Sequence, residues 1–268
     1  MEPKKKSDVM PRKAREKSQS GIYHVILRGA NRQEIFHEDE DSLRFLEIVE
    51  KNAKISEIKV FGWCLMGNHV HLLLGEGIEE LSVTMKRIGV SFAWYYNWKY
   101  GTTGHLFQDR FRSENVENDQ YLLTVIRYIH QNPVKAGMVK RVEDWKWSSC
   151  HNYYGRTPYF SLLLERDLIL TMFSTDRPTA IALFKEFNKI ESTCNCIDDG
   201  QRSRLRMTDE DAKSKIIKQI AGTEIALVKT LPKRQRDEVF RKVKEIEGVT
   251  HRQAARIFGV SPSLIFKA

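Results

Sequence analysis

No apolar run in these 268 residues approaches the roughly 20 needed to cross a bilayer, and the basic start of the chain lacks the apolar stretch of a secretory signal. A membrane protein is therefore not expected, and the cytoplasm is. Cysteine is scarce: Cys64, Cys150, Cys194 and Cys196 form no pair of Cys-x-x-Cys knuckles, which argues against structural zinc. In a reducing compartment all four are expected as thiols, with Cys194 and Cys196 an incidental pair in a connector. Internal repeats and long low-complexity tracts are missing too, which excludes solenoids and arrays.

What remains is a chain of one main domain plus a smaller annex, apolar enough at 41%, with thirteen Phe and five Trp, to pack a core. Its net charge of +9 points to an anionic partner. Residues 1–20 hold seven Lys/Arg against three acids, so residues 1–17 read as a basic flexible arm.

From Gly21 the pattern is regular. Residues 22–28 are β-formers ending at Gly29, and 39–53 carry apolar residues at helical spacing. Residues 58–66 and 69–74 read as a hairpin around the turn Gly67-Asn68. A helix is predicted over 78–100, an extended stretch over 106–116, and a helix capped by Asn118 or Asp119 that runs through Gln131, with Pro133 limiting it. This order predicts an α+β, ferredoxin-like sandwich with a mainly antiparallel sheet and helices on one face. Within the predicted helix, the run Phe92-Ala93-Trp94-Tyr95-Tyr96-Asn97-Trp98 invites thoughts of base stacking, but at helical spacing it reads as core.

Strand side chains alternate, so His69 and His71 share one face while Val70, Leu72 and Leu74 anchor the other. Two readings are open for this pair: two ligands of one divalent metal, or two half-buried polar residues. His24 on the first strand could neighbour this site, but reads first as structural, at the margin of the core. On the later helix, positions 121, 125, 128 and 132 line one stripe, which makes Tyr128 and Asn132 neighbours one turn apart. Tyr128 could deliver its phenolic oxygen to a phosphate, given a nearby cation or base, since free tyrosine has a pKa near ~10. On spacing alone, Tyr121 and Tyr128 read as packing against the sheet.

Three runs alter that balance: Gly21-Ile22-Tyr23-His24-Val25-Ile26-Leu27-Arg28-Gly29, Met66-Gly67-Asn68-His69-Val70-His71-Leu72-Leu73-Leu74, and Arg127-Tyr128-Ile129-His130-Gln131-Asn132-Pro133-Val134-Lys135-Ala136-Gly137. With Gly104-His105-Leu106-Phe107-Gln108-Asp109-Arg110-Phe111 and Trp147-Ser148-Ser149, they resemble the single-tyrosine HUH transposases, the insertion-sequence and REP-associated tyrosine transposases. The resemblance spans about residues 15–155 in order, and implies a transposase domain over 18–155. It implies His69 and His71 as a metal pair, Tyr128 as nucleophile, and Asn132 as an amide ligand where many relatives carry Gln; Tyr121 is the fallback nucleophile. It further implies Mg²⁺ or Mn²⁺, although imidazole ligands leave the metal's identity open. The implied activity is nicking and rejoining of single-stranded or hairpin DNA through a 5′-phosphotyrosine. Arg28, Arg32, Arg110, Arg112 and Lys135 are candidate backbone contacts.

Residues 156–207 read as a connector containing a helix from Pro178 to Ile190, and 208–268 as a helical unit. There Thr250-His251-Arg252-Gln253 has capping-box form, Gly259 ends one helix, and Ser261-Pro262 opens another. After a helix over 234–246, this resembles a helix-turn-helix reader of double-stranded DNA, with Arg252 a candidate contact, although its second helix holds only residues 262–268. A small cap or dimerisation unit is the other reading. Competing whole-chain functions are a domesticated, non-catalytic DNA-binding regulator and a hydrolase that uses the histidines alone. Monomer and homodimer, and a tyrosine acting in its own or a partner subunit, are both open, and a nucleoid-associated location follows from the expected DNA.

Overall fold

The computed structural model describes residues 15–156, 160, 163–192, 196, 209–220, 223, 225–228, 231–246 and 248–268. Most of the basic arm, and Cys194, lie outside them. The chain divides into two compact units, residues 1–197 and 198–268.

The first unit is built on four antiparallel strands: β1 (Ile22–Arg28), β2 (Lys59–Met66), β3 (His69–Gly75) and β4 (Arg112–Asn115), in the order β2-β3-β1-β4. Its helices include α1 (Asp39–Ser56), between β1 and β2, and α2 (Leu81–Tyr100), between β3 and β4. This is the α+β, ferredoxin-like arrangement that the order of elements predicts. After β4 comes α3 (Asp119–Lys135), begun by Asn118, whose side-chain oxygen accepts the Tyr121 backbone N–H at 2.8 Å.

Strand register assigns the faces. His24, Ile26 and Arg28 of β1 lie opposite Leu73, His71 and His69, and His24 also lies opposite Glu114 of β4. Gly62 of β2 pairs with Leu73 on this same face and meets Ile126 of α3. On the other face, Leu27 lines a cavity with Met85 and Gly89 of α2. Helices therefore cover both faces, which corrects the expectation of one, and this explains why every residue of β3 is buried.

Local chemistry fixes three further departures. Strand β4 is only four residues long; upstream of it Phe107 makes a lone bridge to Gly29, and the Gln108 N–H donates to the Arg28 carbonyl at 2.9 Å. Pro133 sits inside α3 rather than ending it, since its missing N–H costs a single bond in the last turn. The aromatic run of α2 divides: Phe92, Tyr95 and Tyr96 are core, whereas Trp94 and Trp98 stand 68% and 70% exposed with parallel rings. Asp41 of α1, fully buried, ties α1 to α2 by accepting from the Tyr95 and Tyr100 hydroxyls and from Lys99.

The edge strand β2 is covered. Trp145 donates its indole N–H to the Leu65 carbonyl, the Leu65 N–H donates to the Trp147 carbonyl, and the Ser149 hydroxyl accepts the Trp63 N–H. Residues 145–149 thus act as an extra pairing partner, a protein's usual remedy for an open edge. After them come the short helices α4 (Cys150–Tyr153) and α5 (Arg166–Thr171), then α6 (Arg177–Lys189), which begins with Pro178 in its first turn under an Asp176 cap. Gln131 of α3 donates to the Asn188 and Ile190 carbonyls, so the stretch after residue 156 packs onto the first unit. Cysteine corrects at one position: Cys64 and Cys150 are free and buried, whereas Cys196, equally buried, is disulfide-bonded.

His130 of α3 is locked into this packing, as the stripe reading implied by turning it away from Tyr128. Its Nε2 meets the Ser149 hydroxyl at 2.9 Å and its Nδ1 the Asn188 amide nitrogen at 3.1 Å, with no exposure to solvent. Burial pushes its pKa down to about 3. The native imidazole is depressed below the unfolded value near ~6.5, so its stabilisation is complete above that pH and is lost as pH falls toward 3. Urea unfolding at pH 7.5 and 4.5 should show this loss, at up to about 1.4 kcal/mol per pH unit, and His130→Gln should show a shallower one. Equal slopes in both proteins would sink the assignment.

The second unit holds α7 (Asp209–Gln219), α8 (Ile225–Val228), α9 (Lys233–Lys244), α10 (His251–Phe258) and α11 (Pro262–Lys267). Ile216, Val228, Phe240, Val243, Ala254, Phe258 and Ile265 form its own core. The Thr250 hydroxyl accepts the Gln253 N–H at 3.2 Å, and Gly259, at φ +64°, makes the turn into α11. Among the described residues, no helix is long and apolar enough to cross a membrane.

Candidate active site

The sheet face under α3 carries the histidines. His69 and His71 have ring centroids 5.0 Å apart, and the Tyr128 ring stands 5.9 Å from that of His71 and 5.8 Å from that of His24. One chain therefore brings His69, His71 and Tyr128 together. His24 corrects its expected place at the core margin: it is fully buried between His71, Tyr128 and Glu114. Its place beside His71 follows from the register of β1 on β3, which only the folded sheet fixes.

The turn before β3 orients its first histidine. Asn68 donates its amide N–H to the Arg32 carbonyl at 3.3 Å, which leaves its oxygen toward His69 Nδ1 at 2.6 Å. That oxygen can only accept, so Nδ1 of His69 carries the proton and Nε2 keeps its lone pair. Read from sequence, Asn68 was merely a turn residue. Burial, with Arg28 and Arg32 nearby, pushes the His69 pKa down to about 3, and burial together with His69, His24 and Arg28 holds His71 well below its ordinary value. Both rings are neutral at physiological pH, the form that ligates a metal.

Gly29 is required for this arrangement. A Cβ there would lie 2.3 Å from the Gln33 carbonyl oxygen and 2.8 Å from the Ile35 side chain. The bare backbone lets residues 30–35 fold against the hairpin turn, where the Gly29 N–H donates to the Asn68 carbonyl at 2.9 Å. That turn carries Arg32 to the Asn68 and His69 end of the site.

A divalent metal fits the pair on one test. Nε2 of His71 is buried with no hydrogen-bond partner among the described residues, and a lone pair in that position suits a cation. No group of three or more His, Cys, Asp or Glu side chains among the described residues makes a ready metal cage. Remaining ligands would come from an amide or from substrate. Asn132 turns its amide nitrogen back onto the Tyr128 carbonyl at 3.0 Å, which leaves Oδ1, the ligating atom of an amide.

The other predicted residues divide. Arg28 and Arg32 act on His69 electrostatically, and Arg112 lies on the histidine face, paired with Ile26. The Lys135 ammonium lies 4.8 Å from the centroid of the Tyr128 ring and donates to the Ser192 carbonyl. Arg110 is elsewhere, near Arg15 in the cavity that Leu27 lines. Arg252 is exposed on the second unit. Tyr121 donates its hydroxyl hydrogen bond to Glu114 at 2.5 Å, and burial and that carboxylate hold its pKa above the ordinary range, both unfavourable to a nucleophile. Cations not foreseen line a cavity of about 1030 Å³ at the C-terminal end of α3: Lys140, Arg141, Arg156, Lys185 and Lys189 join Lys135 there, against Glu143, Glu186 and Glu191.

Residues 17–132 match the family model described as IS200-like transposase. Over 140 residues the chain is 29% identical to a REP-associated tyrosine transposase of Escherichia coli K12, covering 52% of this chain and 80% of that one. It is 30% identical over 100 residues to a Haemophilus influenzae candidate for the same kind of transposase, covering 33% of this chain and 56% of that one. Among solved structures, a REP-associated tyrosine transposase bound to a REP hairpin matches with TM-score 0.46 at 23% identity, over 56% of this chain and 89% of that one. A candidate transposase from Deinococcus radiodurans matches with TM-score 0.32 at 19% identity, over 45% and 97%.

Proposed function

Residues 17–132 being related to the IS200-like transposases, we propose that this protein nicks and rejoins single-stranded or hairpin DNA through a covalent bond to Tyr128. The observation that carries the proposal is the meeting, within one chain, of the Tyr128 ring and two neutral histidines, one with a buried, unpartnered Nε2.

His69 and His71, with Asn132 Oδ1, would hold Mg²⁺ or Mn²⁺. The bound ion would supply Lewis-acid stabilisation of the charge that grows on the scissile phosphate. The chain's own residues do the rest. Tyr128, whose ring α3 sets against His71 and His24, would be positioned to attack before substrate arrives. Its oxygen forms a bond to phosphorus as the bond to the 3′ oxygen breaks, and the phenolic proton ends on the released 3′-hydroxyl. The product is a 5′-phosphotyrosine. Attack by another 3′-hydroxyl reverses these changes and joins a new strand, so one phosphodiester replaces another without ATP.

Lys135 contributes positive charge beside the ring. The basic cavity that it shares with Lys140, Arg156 and Lys185 is a suitable path for the flanking strand, and Arg28, Arg32 and Arg112 are further candidate backbone contacts. In the second unit, the capped α10, the Gly259 turn and α11 are read as a small double-strand reader with Arg252 outward.

The test incubates the full chain with labelled hairpin DNA and Mn²⁺, denatures it, and looks for a DNA–protein adduct mapped to the Tyr128 peptide. Failure to form an adduct across a broad set of hairpins would favour the regulator, and cleavage without adduct would favour a histidine-only hydrolase.

A further inference from the structure

Three neighbouring strands set Glu114, His24 and His71 in one line across the histidine face. His24 and Glu114 are register partners on β1 and β4, and His24 Nδ1 faces Glu114 Oε2 at 3.5 Å. On the other side, His24 Nε2 meets His71 Nδ1 at 3.0 Å, with the two rings near parallel at 22°. Both imidazoles are closed off from solvent, so water cannot relax a mismatched pair of nitrogens.

The protons in such a line are not independent. At 3.5 Å the contact with Glu114 is electrostatic rather than a formed hydrogen bond, yet a carboxylate can only accept, so it favours an N–H over a lone pair on the nitrogen facing it. His24 is then protonated on Nδ1 and, being neutral, is bare on Nε2. The bare Nε2 must accept from His71, which places the His71 hydrogen on Nδ1 and strips it from Nε2. The reverse order would set two lone pairs against each other between His24 and Glu114, and would leave an N–H on His71 Nε2 buried without an acceptor among the described residues.

We infer that Glu114 and His24 are positioning residues that fix the tautomer of His71, so that its Nε2 presents a lone pair rather than a hydrogen. This rests on the proposal that His69 and His71 hold a metal. The relay matches what Asn68 does for His69: both Nε2 atoms are bared by a partner on the other ring nitrogen. Tyr121 completes the line, its hydroxyl donating to the other oxygen of Glu114 and so holding the carboxylate in place. No proton is gained or lost along the relay; only its position is set.

The test reads tautomers directly in the full chain, free of metal. Long-range proton–nitrogen correlation spectra of histidine-labelled protein at pH 7.5, assigned with His24→Asn, should show hydrogen on Nδ1 of both His24 and His71. Hydrogen on His71 Nε2 would overturn the relay. Glu114→Leu should turn His24 and His71 into tautomer mixtures and weaken Mn²⁺ binding, followed by electron paramagnetic resonance, by about 10- to 100-fold. Glu114→Gln, whose amide oxygen can still accept from His24, should recover most of that affinity. A carboxylate with a merely structural role would lower the melting temperature on replacement yet leave tautomers and Mn²⁺ affinity unchanged, and that result also overturns the relay. If wild type bound no Mn²⁺, the metal reading would fall, while the metal-free spectra would still judge the relay by themselves.

Discussion

If Tyr128 is the nucleophile, Tyr128→Phe should abolish the covalent DNA adduct, with strand transfer down by at least about 10⁴-fold, because it removes the oxygen proposed to form the bond to phosphorus. Phenylalanine keeps the ring that packs between His24, His71 and Lys135, so the fold loses one hydroxyl and no volume. The melting temperature and Mn²⁺ affinity should therefore stay near wild type. This separates a lost nucleophile from a damaged core, the distinction that helical spacing could not make for Tyr128. The matching control is Tyr121→Phe, which removes a donor to Glu114 and should leave the adduct forming. An adduct that persists in Tyr128→Phe and vanishes in Tyr121→Phe would reverse the assignment.

His69→Ala carries the second largest effect. If the pair holds a metal, deleting one imidazole removes a ligand and most of the ion's help to the developing charge. That help is worth several kcal/mol, or about three orders of magnitude in rate. Mn²⁺ titration should show the affinity collapse in parallel. Stability should move by about 1 kcal/mol or less, since His69 sits at the edge of the buried face and, among the described residues, its ring hydrogen-bonds to the adjacent Asn68. A variant that melts much earlier yet binds Mn²⁺ and transfers strands normally would return the histidines to the bland reading of two polar residues on a sheet. If Tyr128 serves the histidines of its own chain, against whose His71 its ring lies, the His69→Ala protein mixed with Tyr128→Phe should not regain activity. Complementation would instead mean that the tyrosine serves a partner subunit.

Much of the first unit was legible because its signals are local. Runs of β-formers ending in glycine or a turn set β1 and β3, the Gly67-Asn68 turn joined the hairpin, and Asn118 capped α3. Those same signals place His69 beside His71, since residues two apart on a strand share a face whatever surrounds them. The split of α2 into buried Phe92 and exposed Trp94 and Trp98 was not legible, because an aromatic run fits either side of a helix until a sheet claims one.

Sequence by itself determined the elements, the histidine pair and the stripe that joins Tyr128 to Asn132. Tertiary structure decided which face of the sheet α3 covers, and hence that Tyr128 meets His71 while Tyr121 is spent on Glu114. It also decided that His24, some 47 residues from His71, closes a line of proton partners with it. The reason is physical. Alternation and capping are properties of a few adjacent residues, whereas which strands lie side by side, and which helix then buries them, follows from packing the whole domain.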